Sequence, residues 1–223
     1  MLEWVVQLHK EDAILTFKSG GDPAPTDSTL ADNAFVLIIQ SAFQKKVFKK
    51  NGHAFAGLDV TYNTTHYENM SLFTVIVQDR WGHGMLPFLA IYSQCQADSW
   101  LIIGCLIAWM VSSNATEATI DYFIATLWKH SPSIMPARWM SDFCKEQLKV
   151  LRRYYPDSII YHCWWHVLHT WQQHLVISHY KDLWALLKDW VHITEQLDFG
   201  VYWGKVQELA PKALLLTSLR LGC

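Results

Sequence analysis

The chain has 223 residues, of which 51% are hydrophobic and only 17% charged; this excludes a disordered tail and allows one large domain, or one and a half, with a real core. A formal net charge of −2 and a pI near 6.6 leave no overall basic footprint, which argues against a free-standing nucleic-acid binder held by bulk charge, though not against local patches. Five cysteines (Cys95, Cys105, Cys144, Cys163, Cys223) are odd in number and scattered, and "MLEWVVQLHKED" shows neither a long apolar region nor a cleavage-like site. Both features point to a reducing intracellular compartment, where the Asn-x-Ser/Thr matches at Asn63, Asn69 and Asn114 carry no glycosylation meaning. The most apolar run, "WLIIGCLIAWMV", is 12 residues long against the roughly 20 that span a bilayer, so no membrane segment is expected.

In chain order, residues 1–33 read as a short leader followed by a turn-rich loop, "SGGDPAPTDSTLADN". "AFVLIIQSAFQKKVFKKNG" follows; Phe35, Ile38, Ala42 and Phe43 fit a helical stripe, with Asn51-Gly52 as its stop. His53–Val60 and Leu72–Gln78 read as strands, with a tight turn at "DRWGHG" after the second. A third strand is required next, and both "LPFLAIYS" and "LIAWMVSS" offer one. "NATEATIDYFIATLWKH" is a helix with Asn114 as N-cap, Glu117 completing a capping-box variant, and Ile120, Phe123, Ile124, Leu127 and Trp128 as its stripe. "IMPARWMSD" is a short strand ending at Asp142; Cys144, Leu148, Leu151 and Tyr155 then mark a helix that Pro156 terminates, and "SIIYHC" is a last strand. From His162 the chain reads as helical, with a break at "DFG".

The order is thus three strands, helix, strand, helix, strand, then helices. Successive strands joined by tight turns form an antiparallel meander, and strands separated by helices join by parallel crossovers. This is the element order of an α/β fold with a ribonuclease H-like mixed sheet, followed by an all-helical C-terminal segment. The domains expected are a core over residues 34–161 and a helical segment over 162–223. In such a sheet the first and fourth strands are neighbours.

Two acids then stand out. Asp59 interrupts an apolar run on the first strand, and Asp142 ends the fourth. A buried carboxylate is costly unless paired or holding a cation. Carboxylates from neighbouring strands can hold divalent ions that activate a water and stabilise a leaving oxygen in phosphodiester chemistry. The plainer alternative is a turn or helix cap, and "SDFCKEQL" would use Asp142 or Ser141 as an N-cap. Lys45, Lys46, Lys49 and Lys50, with Arg152-Arg153, are either solvated helix faces or phosphate contacts.

"LDVTYNTTHYENMSLFTVIVQDRWGHG" resembles the first catalytic block of Mutator-like (MULE) transposases: an aspartate, a Thr-Tyr-Asn-Thr stretch, a tyrosine, then Leu-Phe-Thr. "IAWMVSSNATEATIDYFIATL" is similar to the strand and helix that follow. "PARWMSDFCKEQLKVLRRYYPDSIIYHCWWHVLHTWQQHL" resembles the second block, with an aspartate at a strand end, a "YP" turn and a Cys-x-x-His opening a helix. The resemblance spans about residues 34 to 200. It implies a transposase core that cleaves and transfers DNA strands at transposon ends. Asp59 and Asp142 would be the first two acids of an Asp-Asp-Glu triad and the ligands of a two-metal Mg²⁺ or Mn²⁺ site. The resemblance further implies a nuclear location and allows a homo-oligomer.

Cys163 and His166 match the Cys-x-x-His element; helix packing, DNA contact and metal binding are its open roles, and Trp164, Trp165 and Trp171 read as core. Two departures from the family pattern are visible. The resemblance stops short of the family's glutamate helix, and neither Glu195 nor Glu208 lies in a matching segment, so the chain is expected to be a core truncated before the third acid and inactive as it stands. Residues from about 85 to 105, "MLPFLAIYSQCQADSWLIIGC", read as an insert of the kind a retained intron would leave. A domesticated DNA-binding or regulatory protein without catalysis is the alternative reading.

Overall fold

The computed structural model describes residues 2–62, 70–78, 105–142, 144–193 and 196–210. They fall into two units, Met1–Tyr161 and His162–Cys223. The first carries α1 (Leu2–Lys10), β1 (Ile14–Lys18), β2 (Val36–Ile39), α2 (Ala42–Asn51), β3 (Ala56–Tyr62), β4 (Ser71–Val77), β5 (Cys105–Ser112), α3 (Glu117–His130), β6 (Arg138–Ser141), α4 (Lys145–Tyr154) and β7 (Ile159–His162). The strands form one seven-stranded mixed sheet in the order β1-β2-β5-β4-β3-β6-β7. β1 to β5 pair antiparallel with their neighbours, and β3 pairs parallel with β6.

Strand alternation sorts side chains onto two faces of this sheet. Ile38, Met110, Phe73 and Val60 stand in line across β2, β5, β4 and β3. All four are buried, and they join Phe48 of α2, Phe123 and Leu127 of α3, and Val150 and Leu151 of α4 in the main core. One residue along each strand, Ile39, Trp109, Thr74 and Asp59 form the matching row on the opposite face. There Leu37 and Ile39 pack with Val5 and Ala13 in a smaller cluster.

Several elements depart from the sequence expectation. The helix expected from Phe35 begins only at Ala42, because "VLII" is a buried strand. Ser41 and Gln44 mark the true start with a reciprocal capping box: the Ser41 N–H donates to Gln44 Oε1 at 2.8 Å and the Gln44 N–H to Ser41 Oγ at 3.3 Å. Gly52 is the C-cap of this helix, and space requires a glycine there, since a Cβ would lie 2.6 Å from Phe48 and 2.7 Å from Ile134. Residues 1–33 are more than a leader and loop, because β1 pairs along β2. Buried Lys18 at its end donates to the carbonyls of Asp32 (2.7 Å) and Ala34 (2.8 Å), tying down the turn-rich stretch.

"LIAWMVSS" supplies the strand after β4; "LPFLAIYS", the "DRWGHG" turn and most of the expected insert lie outside the described residues. The N-cap of α3 is Thr116, two residues beyond the expected Asn114, whose Oδ1 accepts from the Thr116 hydroxyl at 3.1 Å. Trp128, expected in the stripe of α3, is 41% exposed. On α4 the buried positions are Gln147, Val150 and Leu151, while Leu148 is half-buried.

The second unit contains α5 (Trp164–His174), α6 (Lys181–Trp190) and α7 (Gln196–Leu209). Leu168, Trp171, Leu183, Leu187 and Val206 are buried together, and Trp190 stacks on Trp171 (5.7 Å) and Trp203 (5.2 Å). The break expected at Asp198–Gly200 is absent, since α7 runs through it; α6 ends earlier, at Trp190, with Val191 as its C-cap.

Phe73 is wholly buried at the centre of the main core, edge-on to Phe123 at 6.2 Å. Phe73→Ala should lower unfolding stability by about 3–5 kcal/mol, measured by urea denaturation, because both transfer and cavity terms apply at a rigid sheet centre.

Candidate metal centre

The parallel register of β3 and β6 pairs Ala56 with Trp139, Gly57 with Met140, and Leu58 with Ser141. One residue further, Asp59 meets Asp142 as β6 ends. Partners in a parallel pair point to the same face, so the two acids leave the sheet side by side. A carboxylate oxygen of each lies within 4.8 Å of the other, and both residues are half-buried. Thr61, two residues along the same face, donates its hydroxyl to Asp59 Oδ2 at 3.2 Å.

The expectation that Asp142 or Ser141 caps the following helix is not met. Cys144 occupies the N-cap of α4, and no side-chain cap bond is made there. Ser141 instead donates to Gln147 Oε1, a pair in which both side chains are buried. This bond ties the end of β6 to the first turn of α4 and so sets where Asp142 emerges. Trp139, two residues back on the same side, packs against Tyr155 at 5.0 Å and anchors the far end of the helix. Burial pushes the Tyr155 phenol well above the usual tyrosine range.

Three side chains around this strand end were given no part in a site by the sequence reading. Tyr62, three residues after Asp59, is 60% exposed. Its hydroxyl is held above the ordinary tyrosine value, first by partial burial and then by the neighbouring Cys144 and the acids Asp142, Glu146 and Asp59. Cys144 donates its thiol to Glu146 Oε2 at 3.1 Å. That bond is the main cause holding the Glu146 carboxyl below the usual range, while burial pushes the Cys144 thiol up. The spacing Asp142-x-Cys144-x-Glu146 was visible in the sequence, but a helix's first turn is ordinarily acidic, so it carried no signal.

Chemically, Asp59 and Asp142 are a pair of hard oxygen donors, close, partly solvated and of like charge. Such a pair suits a Mg²⁺- or Mn²⁺-class ion, whose bonds of about 2.0–2.2 Å let two carboxylates share it. The donor set therefore fits the group that the resemblance implies.

Cys163 is the N-cap of α5 and makes no side-chain cap bond, while His166 is the third residue of that helix; only the histidine is helical. Among the described residues, Cys163 joins no group of three or more metal-ligating side chains. Trp171 is buried and Trp164 partly so, but Trp165, expected in the core, is 49% exposed and stacked on His169 at 5.0 Å. Of the basic spots, Lys45 approaches Asp12 at 3.4 Å, whereas Arg153 binds Glu117 at 3.2 Å and also Asp121 on α3.

No helix among the described residues is long and apolar enough to cross a membrane. In comparisons with known proteins, no family model and no curated protein matches the chain.

The Ser141–Gln147 bond gives a direct test of how the site is held. Gln147→Leu leaves a buried hydroxyl without its acceptor and should cost about 1–3 kcal/mol in chemical denaturation. The double variant Ser141→Ala/Gln147→Leu should lose less than the sum of the two single changes.

Proposed function

We propose that this chain is a core fragment of a metal-dependent polynucleotidyl transferase of ribonuclease H-like fold, similar to Mutator-like transposases, which in intact form would act on DNA strands at transposon ends and which is largely inactive as it stands. The observation that carries the reading is the convergence of Asp59 and Asp142, within 4.8 Å, from two parallel neighbouring strands. The sheet order supports the fold: a meander β3-β4-β5 with β6 on the far side of β3 is the arrangement that such cores use to bring two strand-borne acids together.

In this reading Asp59 and Asp142 hold Mg²⁺ or Mn²⁺, and the Thr61 hydroxyl orients Asp59. The bound ions would lower the pKa of an attacking water or hydroxyl and offset charge on the leaving oxygen. Half-burial of both acids leaves room for a phosphate to approach from solvent. DNA as substrate, action in the nucleus and assembly as a homo-oligomer belong to the same proposal.

The test is nicking of supercoiled plasmid in Mn²⁺ by the whole chain and by Asp59→Asn and Asp142→Asn. Loss of several kcal/mol of charge stabilisation predicts that whatever nicking the chain retains falls about 100-fold or more in each variant. Undiminished nicking by either variant would refute the assignment. DNA retention without any nicking, and without dependence on divalent metal, would favour the non-catalytic regulatory alternative.

A further inference from the structure

We infer that the outward face of α2, carrying Lys46, Lys49 and Lys50, is a seat for the phosphate backbone of duplex DNA. This inference rests on the DNA-directed reading above and goes beyond it, because it assigns the surface that holds the duplex rather than the groups that would cut it.

The helix's own geometry builds this face. Phe48 is buried in the main core, with Val47 packed against the same cluster. At about 3.6 residues per turn, Phe43, Lys46, Lys49 and Lys50 fall together on the side away from Phe48. All four are exposed, Phe43 to 64%. Both ends of the helix are fixed, by the Ser41–Gln44 capping box at the start and by the tight fit of Gly52 against Phe48 at the end. The lysine stems therefore rise from a rigid support. Lys46 and Lys50 are separated by about 6 Å along the helix axis. Duplex DNA carries one charge per about 1.7 Å of its axis, so three ammonium groups within that length meet about three phosphates.

The charge on this face has no local counterpart. No acidic residue occurs between Asp32 and Asp59, so all 20 Asp and Glu residues lie outside that segment, in a chain of net charge −2. Other cations singled out by the sequence are engaged: Lys45 turns to Asp12 at 3.4 Å, and Arg153 to Glu117 at 3.2 Å and to Asp121. Among the described residues, no carboxylate pairs with Lys46, Lys49 or Lys50. The helix dipole favours cations in the last turn and accounts for Lys49 and Lys50, but not for Lys46 a turn earlier. Complementarity is thus with a polyanion. A lipid surface fits this helix less well, because an interfacial helix lays a broad apolar face into the membrane. Here the apolar side is packed on the core, and Phe43 is the one large apolar side chain of α2 that is exposed.

The experiment is fluorescence anisotropy of a labelled duplex of about 20 base pairs with the whole chain, at salt from about 50 to 200 mM. EDTA in the buffer takes the metal centre out of the measurement. Lys46→Gln/Lys49→Gln/Lys50→Gln should bind about tenfold or more weaker at the lowest salt, and its slope of log K against log salt should flatten by about 2–3. Lys46→Gln alone, outside the last turn, should flatten the slope by about 1. Arginine at all three positions should keep the wild-type slope. Lys10→Gln/Lys181→Gln/Lys188→Gln, which removes the same charge from exposed sites elsewhere, should keep it too. Duplex binding with an unchanged slope in the α2 glutamine variants would overturn this inference and leave the DNA reading standing. Absence of duplex binding by the wild type would remove the DNA reading itself, and this inference with it. Equal flattening in the control triple would mark a bulk-charge effect and overturn the inference. Tighter binding to phosphatidylserine vesicles than to duplex, lost in the α2 triple variant, would assign the face to a membrane surface instead.

Discussion

The parallel pairing of β3 with β6 is the constraint on which the candidate site depends. Its register, Leu58 against Ser141, directs Leu58 and Val60 into the core and Asp59 away from it. A slip of one residue would exchange the two faces and drive the carboxylate in among Phe73, Met110 and Ile38. Burying a charge there costs several kcal/mol, far more than any gain from the slipped pairing. The apolar row across β2, β5, β4 and β3 therefore enforces the geometry of the acids without touching them.

α4 extends the same logic. Its core side, Gln147, Val150 and Leu151, fixes it on the sheet, and its last turn is basic, with Arg152 and Arg153. Arg153 in the last turn and Lys149 at mid-helix are clasped to Glu117 and Asp121 of α3, while Glu146 lies in the first turn. Both placements suit the helix dipole. Asp59 and Asp142 bring like charge together at the end of β6. Concentrated like charge is destabilising by itself, and a divalent ion relieves it.

Legibility of the sequence varied for identifiable reasons. Strands β3 and β4 and helix α4 were readable within a few residues, since their apolar spacing and flanking turn residues agree. β2 was not: "VLIIQSAF" is apolar enough to satisfy a helical stripe, and only the Ser41/Gln44 capping box separates strand from helix. β1 was hidden because five residues, "ILTFK", make a strand only when β2 lies alongside. The turn at "DFG" failed for the opposite reason: Gly200 tolerates a helix, and nothing packs against it to demand otherwise. Trp165 was misplaced because hydrophobicity does not tell which side of a short helix faces its neighbours.

By itself the sequence determined the candidate acids, because an aspartate in an apolar strand is legible from its chemical cost alone. It also determined most of the secondary-structure order, which local spacing and capping residues encode. Only the tertiary structure decided that Asp59 and Asp142 share a sheet face, since strand register is set by long-range packing between segments some eighty residues apart. Tertiary structure likewise decided which acids are clasped by cations, because Glu117 meets Lys149 and Arg153 only once α3 and α4 are packed together.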